Sequence, residues 1–146
     1  MQNHVIDPTF FYDAIEVFAF NYEWYVVKEI SLDELGRRIT QFDKLTIRGS
    51  LQSQGTSLNL STSGNTETMR YRFYCKSLYR INIGDFIRYK NRWLHVDEVS
   101  DFDEWGVRSA SLTMVNLNNY KDLLEYVKYL EGDILVWFLL LLFIKL

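Results

Sequence analysis

The stretch Gly84–Val115 most constrains the fold, because it places short apolar-rich runs between polar turns. The apolar residues of the first two runs are Phe86, Tyr89, Trp93, Leu94, Val96 and Val99. Lys90 and Asn91 separate these runs, and an Asn that tolerates positive φ can close a tight hairpin there. After the polar segment Asp101–Gly106, residues alternate between two unlike faces as far as Val115, which is the period of a strand. The stretch therefore predicts about half of a small antiparallel β-barrel.

The segments before this stretch predict further strands of the same barrel. A short amphipathic helix is expected to begin near Pro8, and the β-branched and aromatic content of Glu23–Ile30 favours a strand. The segment Ser31–Arg38 has a helix N-cap signal, but Gly36 follows too soon for more than one turn, so we expect a hairpin tip. Gln41–Leu51 is expected to return as a strand, with a bulge or bend at Gly49 and Ser50.

Ser50–Met69 is almost entirely small and polar, and it predicts a long exposed loop or ribbon. Loops beyond about 12 to 15 residues are uncommon in compact domains and are usually functional or disordered. Within the segment we select Leu58, Asn59, Leu60 and Ser61 as a candidate binding loop, because Leu58 and Leu60 would share one face of an extended chain.

The strand that follows this segment, Met69–Lys76, is expected to place one face in the core. The residues of that face are Met69, Tyr71, Phe73 and Cys75. Cys75 is the only cysteine, so an internal disulfide is excluded, and its strand position favours a small core residue over a reactive thiol.

The C-terminal part of the chain predicts a helix over residues 118–131, which ends at Gly132, and a separate apolar tail over residues 134–146. The apolar run Ile134–Ile144 would rise only about 16 Å as a helix, against about 30 Å for a bilayer core. We therefore expect no membrane span, and a tail packed against its own barrel or a neighbouring subunit.

Length and composition favour one mainly β domain over residues 1–146, with a barrel core at about residues 23–115. Aromatic residues make up 16% of the chain, and the formal net charge of -3 gives no general attraction to phosphate. The N-terminus lacks the basic segment and apolar run of a signal peptide.

The sequence offers little for catalysis or for metal and cofactor binding. His4 and His95 are the only histidines, and neither has a second His or Cys at ligand spacing. The acidic run Asp97–Glu104 lacks the spaced ligands and central Gly of a calcium loop. With no phosphate-binding Gly loop and no nucleophile motif, we expect neither enzyme activity nor a metal site or cofactor.

Charge is unevenly distributed along the predicted barrel. Between Arg70 and Arg92 the only acid is Asp85, and the acidic run follows at once. Opposite patches on one chain permit a head-to-tail contact that closes into a ring. The candidate interface residues are Arg88, Lys90, Arg92, Asp101, Asp103 and Glu104.

Two other functions remain open from the residues alone. Basic residues interleaved with Tyr71, Phe73, Tyr74 and Tyr79 would also suit a single-strand-binding face of the OB type. The alternation weakens this OB-like alternative, because only Tyr74 clearly shares the basic face. A membrane-associated protein that uses the apolar tail is a third option.

The order of the motifs resembles the small head-tail connector proteins of tailed bacteriophages, known as head-closure, stopper, joining or neck proteins. The matching motifs are LDELGRR, IRGSLQ before the long polar segment, MRYRFYCK, and GDFIRYKNRWLHVDEVSDFDEWGVRSASLTMV. In the hairpin motif of that family this chain has Gly84, Asp85, Tyr89, Asn91, Arg92, Trp93, Val96 and Val99, followed by the aromatic-Gly turn Asp103–Gly106. The match covers about residues 30–115, and the aromatic N-terminus and the C-terminal part depart from it.

The resemblance implies a structural virion protein without catalytic activity. It implies a homo-oligomeric ring, coaxial with the DNA channel, that contacts a portal or adaptor protein and tail proteins. Packaged DNA would pass through the ring without sequence specificity, and the long polar segment would point into the lumen or at a neighbour. The expected location is the neck of the virion, after assembly in the host cytoplasm.

Overall fold

A computed structural model of the protein describes residues 8–61 and 64–144. Six strands and two longer helices make up the described chain. They are α1 Pro8–Val17, β1 Phe20–Leu32, β2 Arg38–Ser61, β3 Gly64–Lys76, β4 Phe86–Tyr89, β5 Arg92–Phe102, β6 Val107–Val115 and α2 Lys121–Ile144. Single turns of 3-10 helix occur at Asp103–Trp105 and Leu117–Asn119.

The strands form a closed antiparallel barrel in the order β1-β2-β3-β6-β5-β4, in which β1 pairs with β4. This confirms the predicted fold class, a mainly β chain with a C-terminal helix. By contacts the described chain divides into two compact units. The first contains residues up to Val26 together with Lys44–Val115, and the second contains Val27–Asp43 and the residues from Asn116 onwards. The boundaries of a single domain stay a prediction.

The N-terminal elements form where their local sequences favour them. Helix α1 begins at Pro8, as expected for a residue whose ring already has helical φ, and β1 begins three residues before the predicted Glu23. The predicted hairpin tip lies between Leu32 and Arg38. There the Asp33 carboxylate accepts hydrogen bonds from the backbone N–H groups of Leu35 and Arg37, at 2.9 and 2.7 Å. These bonds hold the turn without help from the rest of the fold.

The core of the first unit fills the inside of the barrel. It consists of Trp24, Ile47, Tyr71, Phe73, Cys75, Ile81, Ile87, Leu94, Val96, Ala110 and Leu112. The face of β3 predicted to be core is therefore confirmed at Tyr71, Phe73 and Cys75, and Met69 is half-buried. Burial raises the pKa of the Cys75 thiol to about 12, which agrees with a core residue and not a reactive thiol.

Asp85 is a buried polar anchor of the Gly84–Asp85 motif. Its carboxylate accepts a hydrogen bond from the Trp24 indole at 3.2 Å and another from the backbone N–H of Asn82 at 2.9 Å. Its backbone carbonyl accepts a hydrogen bond from the N–H of Val96. The motif thus fixes the segment before β4 against β1 and β5, which is a structural role.

The hairpin between β4 and β5 has the predicted two-residue turn, but the residue with positive φ is not the one that was predicted. The φ of +55° belongs to Lys90, which is the only non-glycine residue with positive φ in the described chain. The role assigned to Asn91 was therefore wrong. A positive φ at the first turn position matches the right-handed twist of the flanking strands, so the hairpin geometry decides which residue adopts it.

The bulge predicted at Gly49 and Ser50 is located further along β2. Pairing with β3 is continuous through both residues, and the register shifts between Ser53 and Thr56, where Gly55 has a φ of +84°. Gly49 has another role, because a Cβ there would lie 2.4 Å from Cζ of Phe73. Because Gly49 has no side chain, β2 can lie close to β3 at this point. The glycine does not mark a bend.

Of the two alternatives for Ser50–Met69, loop or ribbon, the structure has the ribbon. Beyond the bulge, Ser57 pairs with Thr68, and the pairing continues to Ser61 opposite Gly64. The pairing of β3 with β6 reaches only Arg70, so the outer part of the hairpin is a ribbon of two strands. Backbone hydrogen bonds between the two strands order a sequence that has little apolar surface.

Helix α2 contradicts the predicted division into a helix over residues 118–131 and a separate tail over residues 134–146. The helix begins at Lys121, after a 3-10 turn, and continues without a break through Gly132 to Ile144. An interior Gly costs only about 1 kcal/mol, which a long helix rich in strong helix formers can absorb. Residues 145–146 lie outside the described residues.

Within the second unit, the buried side chains include Phe42 and, on α2, Leu123 and Val127. The Asp122 carboxylate accepts a hydrogen bond from the N–H of Thr40 at 2.9 Å. At its other end α2 exposes the six apolar side chains from Leu139 to Ile144. In the part of the chain that was described, no helix has the length and hydropathy needed to cross a bilayer.

Candidate assembly surface

A wide groove of about 930 Å³ opens on the first unit beside the β4–β5 hairpin. The start of β1, the middle of β2 and the hairpin form its walls. Its lining is aromatic and basic, with Phe18, Phe20, Asn21, Tyr22, Glu23, Ser50, Leu51, Gln52, Arg88, Tyr89 and Lys90. Phe18 and Phe20 are 64% and 66% exposed, so the groove has an apolar rim in contact with solvent.

The three basic candidates at this hairpin differ in their partners. Arg88 lies 3.7 Å from the Glu23 carboxylate and over the ring of Trp93 at 5.2 Å. Arg92 donates a hydrogen bond of 2.5 Å to the Tyr71 hydroxyl.

Lys90, in contrast, is exposed at the turn, and its Nζ lies 5.3 Å from the centre of the Tyr89 ring. No ion pair of Lys90 occurs among the described residues. It is therefore the basic candidate most available to a partner.

The acidic candidates form a corner between β5 and β6, which we call the acidic corner and define as Asp101–Trp105. Asp101 accepts a hydrogen bond from Arg108 at 2.9 Å, and Arg80 lies within 3.6 Å of both Asp101 and Asp103. A hydrogen bond shared with the neighbouring carboxyl of Asp103 raises the pKa of Asp101 above its ordinary value. Two of the three acids are thus partly neutralised within the chain.

Glu104 is exposed at the acidic corner, and the described chain contains no ion pair of its carboxylate. Beside it the rings of Phe102 and Trp105 stack at 5.7 Å with an angle of 8° between their planes. Both rings remain partly exposed, at 44% and 39%. The corner therefore presents an aromatic pair and one available negative charge.

The basic and acidic candidates are not brought together in one chain. Arg88, Lys90 and Arg92 lie at the start of β5, and the acidic corner begins at its end. The eleven residues of β5 span roughly 35 Å at about 3.3 Å per residue.

The candidate binding loop lies in the outer part of the β2–β3 ribbon. Leu58, Asn59, Leu60 and Ser61 pair with Glu67, Thr66, Asn65 and Gly64. Their backbones therefore already have partners in the same chain, although the role of these residues in binding stays a prediction.

Sequence reasoning missed two features of this surface. The first is the contribution of Phe18, Phe20 and Tyr22 to the groove, which the aromatic run after α1 could have indicated. The second is Arg108, which is nearly buried and donates to the carbonyl of Ile81 at 2.9 Å as well as to Asp101. An Arg on an otherwise apolar strand face is the available signal for such an internal clamp.

Two of the four aromatic residues named for the OB-like alternative are unavailable for base stacking. Tyr71 and Phe73 are 3% and 0% exposed, and they belong to the barrel core. Tyr74 and Tyr79 are half-buried. Stacking requires an accessible ring face, so only Tyr74 and Tyr79 are left to serve this alternative.

His95 is held by its own sheet. Its Nδ1 lies 2.7 Å from the Asp97 carboxylate, which also accepts a hydrogen bond from the Thr113 hydroxyl. Across the described ranges, 8–61 and 64–144, no three His, Cys, Asp or Glu side chains are grouped as a metal site would require. His4 lies outside the described residues.

No protein-family model matches the sequence, and no curated protein is significantly similar to it. Among solved structures, the chain is similar to a chain of the virion of a native gene transfer agent (GTA) particle. The TM-score is 0.52 at 10% sequence identity, and the match covers 66% of this chain and 94% of the other. At this identity the similarity establishes a shared fold.

Proposed function

We propose that this chain is a structural virion protein that forms an oligomeric ring between the portal or capsid vertex and the tail of a phage-like particle. The observation that carries the proposal is the shared fold, which covers nearly the whole length of a chain from a gene transfer agent virion. The motifs that resemble head-tail connectors lie in the same barrel, at the β4–β5 hairpin and the acidic corner.

The distribution of charge supports ring formation through unlike surfaces. A basic hairpin at one end of β5 and an acidic corner at the other give two different patches on each copy. Contacts between different patches are heterologous, and they close into a ring when the rotation between copies permits. In this proposal Arg88, Lys90 and Arg92 face Asp101, Asp103 and Glu104 of a neighbour.

The partners follow from the position in the particle. The ring would contact a portal or adaptor protein on one side and tail proteins on the other, and packaged DNA would pass through its channel without sequence specificity. The two-stranded ribbon that carries Leu58 and Leu60 would reach a neighbouring copy or the channel. The protein would be assembled in the host cytoplasm and found in the virion neck.

Fractionation of particles from cells that express the chain tests this function. We expect the chain to sediment with DNA-filled particles, in a fixed number of copies per particle, and a label on it to mark the neck in electron micrographs. Deletion of the gene should leave heads and tails unjoined. Normal particles from the deletion strain, or a chain that stays at the top of the gradient, would contradict the proposal.

A further inference from the structure

The groove and the acidic corner are complementary in chemistry. The groove has exposed aromatic side chains at its rim and Lys90, whose charge has no ion-pair partner within the described chain. The corner has a stacked pair of aromatic rings and Glu104, a carboxylate that is also without an ion pair there. Both surfaces therefore present exposed aromatic rings, and the available charge of each is opposite to that of the other.

The groove is also large enough for the rings of the corner. Pockets of about 300 to 1,000 Å³ enclose a ligand of several rings, and the groove measures about 930 Å³. Burial of an aromatic side chain removes about 150 to 250 Å² of surface from water, so a pair of rings in the groove would bury a substantial apolar area. Aromatic side chains in such pockets commonly supply most of the binding energy of an interface.

The acidic corner does not occupy the groove of its own copy. Phe102 and Trp105 line a second hollow of about 290 Å³, which adjoins the groove at Ser50 and Gln52. The groove lining contains neither ring, and it ends at the β4–β5 hairpin, which precedes the start of β5, whereas the corner lies at the end of β5. A corner that fills the groove must therefore come from another molecule.

We propose that the groove of one copy receives the acidic corner of the next copy, with Phe102 and Trp105 against the aromatic rim and Glu104 paired with Lys90. The occupant is a second copy of this chain, because the same polypeptide supplies both the aromatic surface and the opposite charge. The inference rests on the proposed ring and names the contact that joins its copies. It also assigns Phe18 and Phe20 to the interface.

The arginines of the hairpin act differently in this contact. Arg88 and Arg92 already bind Glu23, Trp93 and Tyr71 of their own chain, so they shape the hairpin that presents Lys90. Asp101 and Asp103 similarly hold the corner through Arg80 and Arg108. Lys90 and Glu104 then form the charge pair of the contact. Their charges can be exchanged without disturbing the hairpin or the acidic corner.

Charge exchange tests the contact. Lys90→Glu alone and Glu104→Lys alone each create like charges across every contact, and we expect the apparent dissociation constant for assembly to rise on the order of tenfold or more. The double variant Lys90→Glu/Glu104→Lys should restore assembly. An equimolar mixture of the two single variants should also assemble, because each groove then meets a corner of opposite charge in an alternating order.

The matched control is Lys128→Glu, which makes the same charge change at an exposed position of α2. It should assemble as the parent does. As a second measurement, Lys90→Cys/Glu104→Cys should form disulfide-linked ladders under mild oxidation, whereas Lys128→Cys/Glu104→Cys should not. Circular dichroism of each variant verifies that the barrel is folded.

The outcomes separate this inference from the function on which it rests. A parent chain that forms rings, with no rescue by the double variant and no ladder, overturns the contact and leaves the connector function in place. A parent chain that stays monomeric at all concentrations overturns both. Loss of binding to a labelled oligonucleotide in Lys90→Glu, without any effect on assembly, would identify the groove as a nucleic-acid site and overturn the contact.

Discussion

At the residue scale, Gly49 is the position where a single methyl group has the largest consequence. A Cβ there would lie 2.4 Å from Cζ of Phe73 and 2.5 Å from the carbonyl oxygen of Tyr74. We expect Gly49→Ala to lower the free energy of unfolding by about 1 to 3 kcal/mol, because the core and strand would have to move apart. Urea unfolding followed by circular dichroism measures the change.

The matched control for this substitution is Gly132→Ala. A Cβ at Gly132 has no neighbour within 4 Å, and the residue lies inside α2. The change should raise helix stability by up to about 1 kcal/mol. Equal effects of the two substitutions would contradict the account of Gly49.

Cys75 gives a prediction about pH. Burial raises the pKa of its thiol from 9.0 to about 12. The unfolded thiol therefore ionises first, so its contribution to stability is complete below about pH 9 and is lost as the pH rises toward about 12. We expect the native thiol to react very slowly with a disulfide reagent at pH 8, and rapidly in urea.

A second cysteine position controls for access of the reagent. Leu78 is 70% exposed, so Leu78→Cys in a Cys75→Ala background should react rapidly in the native state. Rapid reaction of Cys75 in the folded parent would show that the thiol is accessible and would contradict its place in the core.

At the element scale, the outer β2–β3 ribbon should be separable from the barrel. Beyond the bulge it has only two strands, and such hairpins have marginal stability alone. Replacement of Gln54–Thr66 by a short Gly-Ser turn should leave the thermal unfolding of the barrel nearly unchanged and impair assembly or DNA retention. A barrel that fails to fold without the ribbon would contradict this prediction.

Amide exchange provides a finer measurement on the same element. Amides at Leu58 and Leu60 should exchange faster in the free chain than those at Ile47 and Leu51, and they should slow in the ring if the ribbon adds to a neighbour. Strong protection at Leu58 to Leu60 in an isolated monomer would contradict a role for the ribbon in binding.

The C-terminal half of α2 is the second element with a testable role. Six consecutive apolar residues, Leu139–Ile144, are exposed in the single chain and together surround the helix. We expect them to be buried in the assembly, so truncation after Asp133 should reduce self-association. Flotation of the full chain with liposomes, and loss of flotation on truncation, would instead support the membrane-associated alternative.

Local sequence signals predicted the elements that depend on nearby residues. Pro8 indicated the start of α1, Gly36 marked the turn, and the alternation in Met69–Lys76 identified the core face of β3. Each of these follows from backbone preferences or from a period of two.

Other features depend on partners far along the chain, and the sequence could not reveal them. The role of Gly49 depends on Phe73, and that of Asp85 depends on Trp24. The choice between a loop and a ribbon stayed open because backbone pairing holds this segment in place, and the polar side chains give no sign of that pairing. Gly132 did not end the helix, because a single Gly is a weak stop signal between an amphipathic helical segment and a long apolar run.

For the candidate surface, the sequence located the charged residues but not their partners. It could not distinguish Lys90 and Glu104, which lack ion pairs in the described chain, from Arg88 and Asp101, which are paired within it. The aromatic run after α1 indicated an aromatic surface, but not that Phe18 and Phe20 lie beside the β4–β5 hairpin. Both facts arise from closure of the barrel, which brings β1 next to β4.

At the scale of the whole molecule, a ring of this kind forms only if copies of the chain join through two different surfaces. Outside the two-stranded ribbon, the strands of the closed barrel have partners on both sides and offer few unpaired backbone groups, so side chains at the groove and the acidic corner must carry the contact there. Such a contact is sensitive to salt, because exposed charges are screened within about 8 Å at physiological ionic strength. Assembly should therefore weaken as salt is raised.

The mass of the purified chain in solution, measured by light scattering after size-exclusion chromatography, shows whether copies of the chain form a closed ring. We predict one closed species whose mass is a fixed multiple of 17.5 kDa and whose images in negative stain are rings. The Lys90→Glu variant should shift to lower mass. A parent chain that remains a monomer at high concentration and shifts a labelled oligonucleotide would contradict the ring and favour the OB-like alternative.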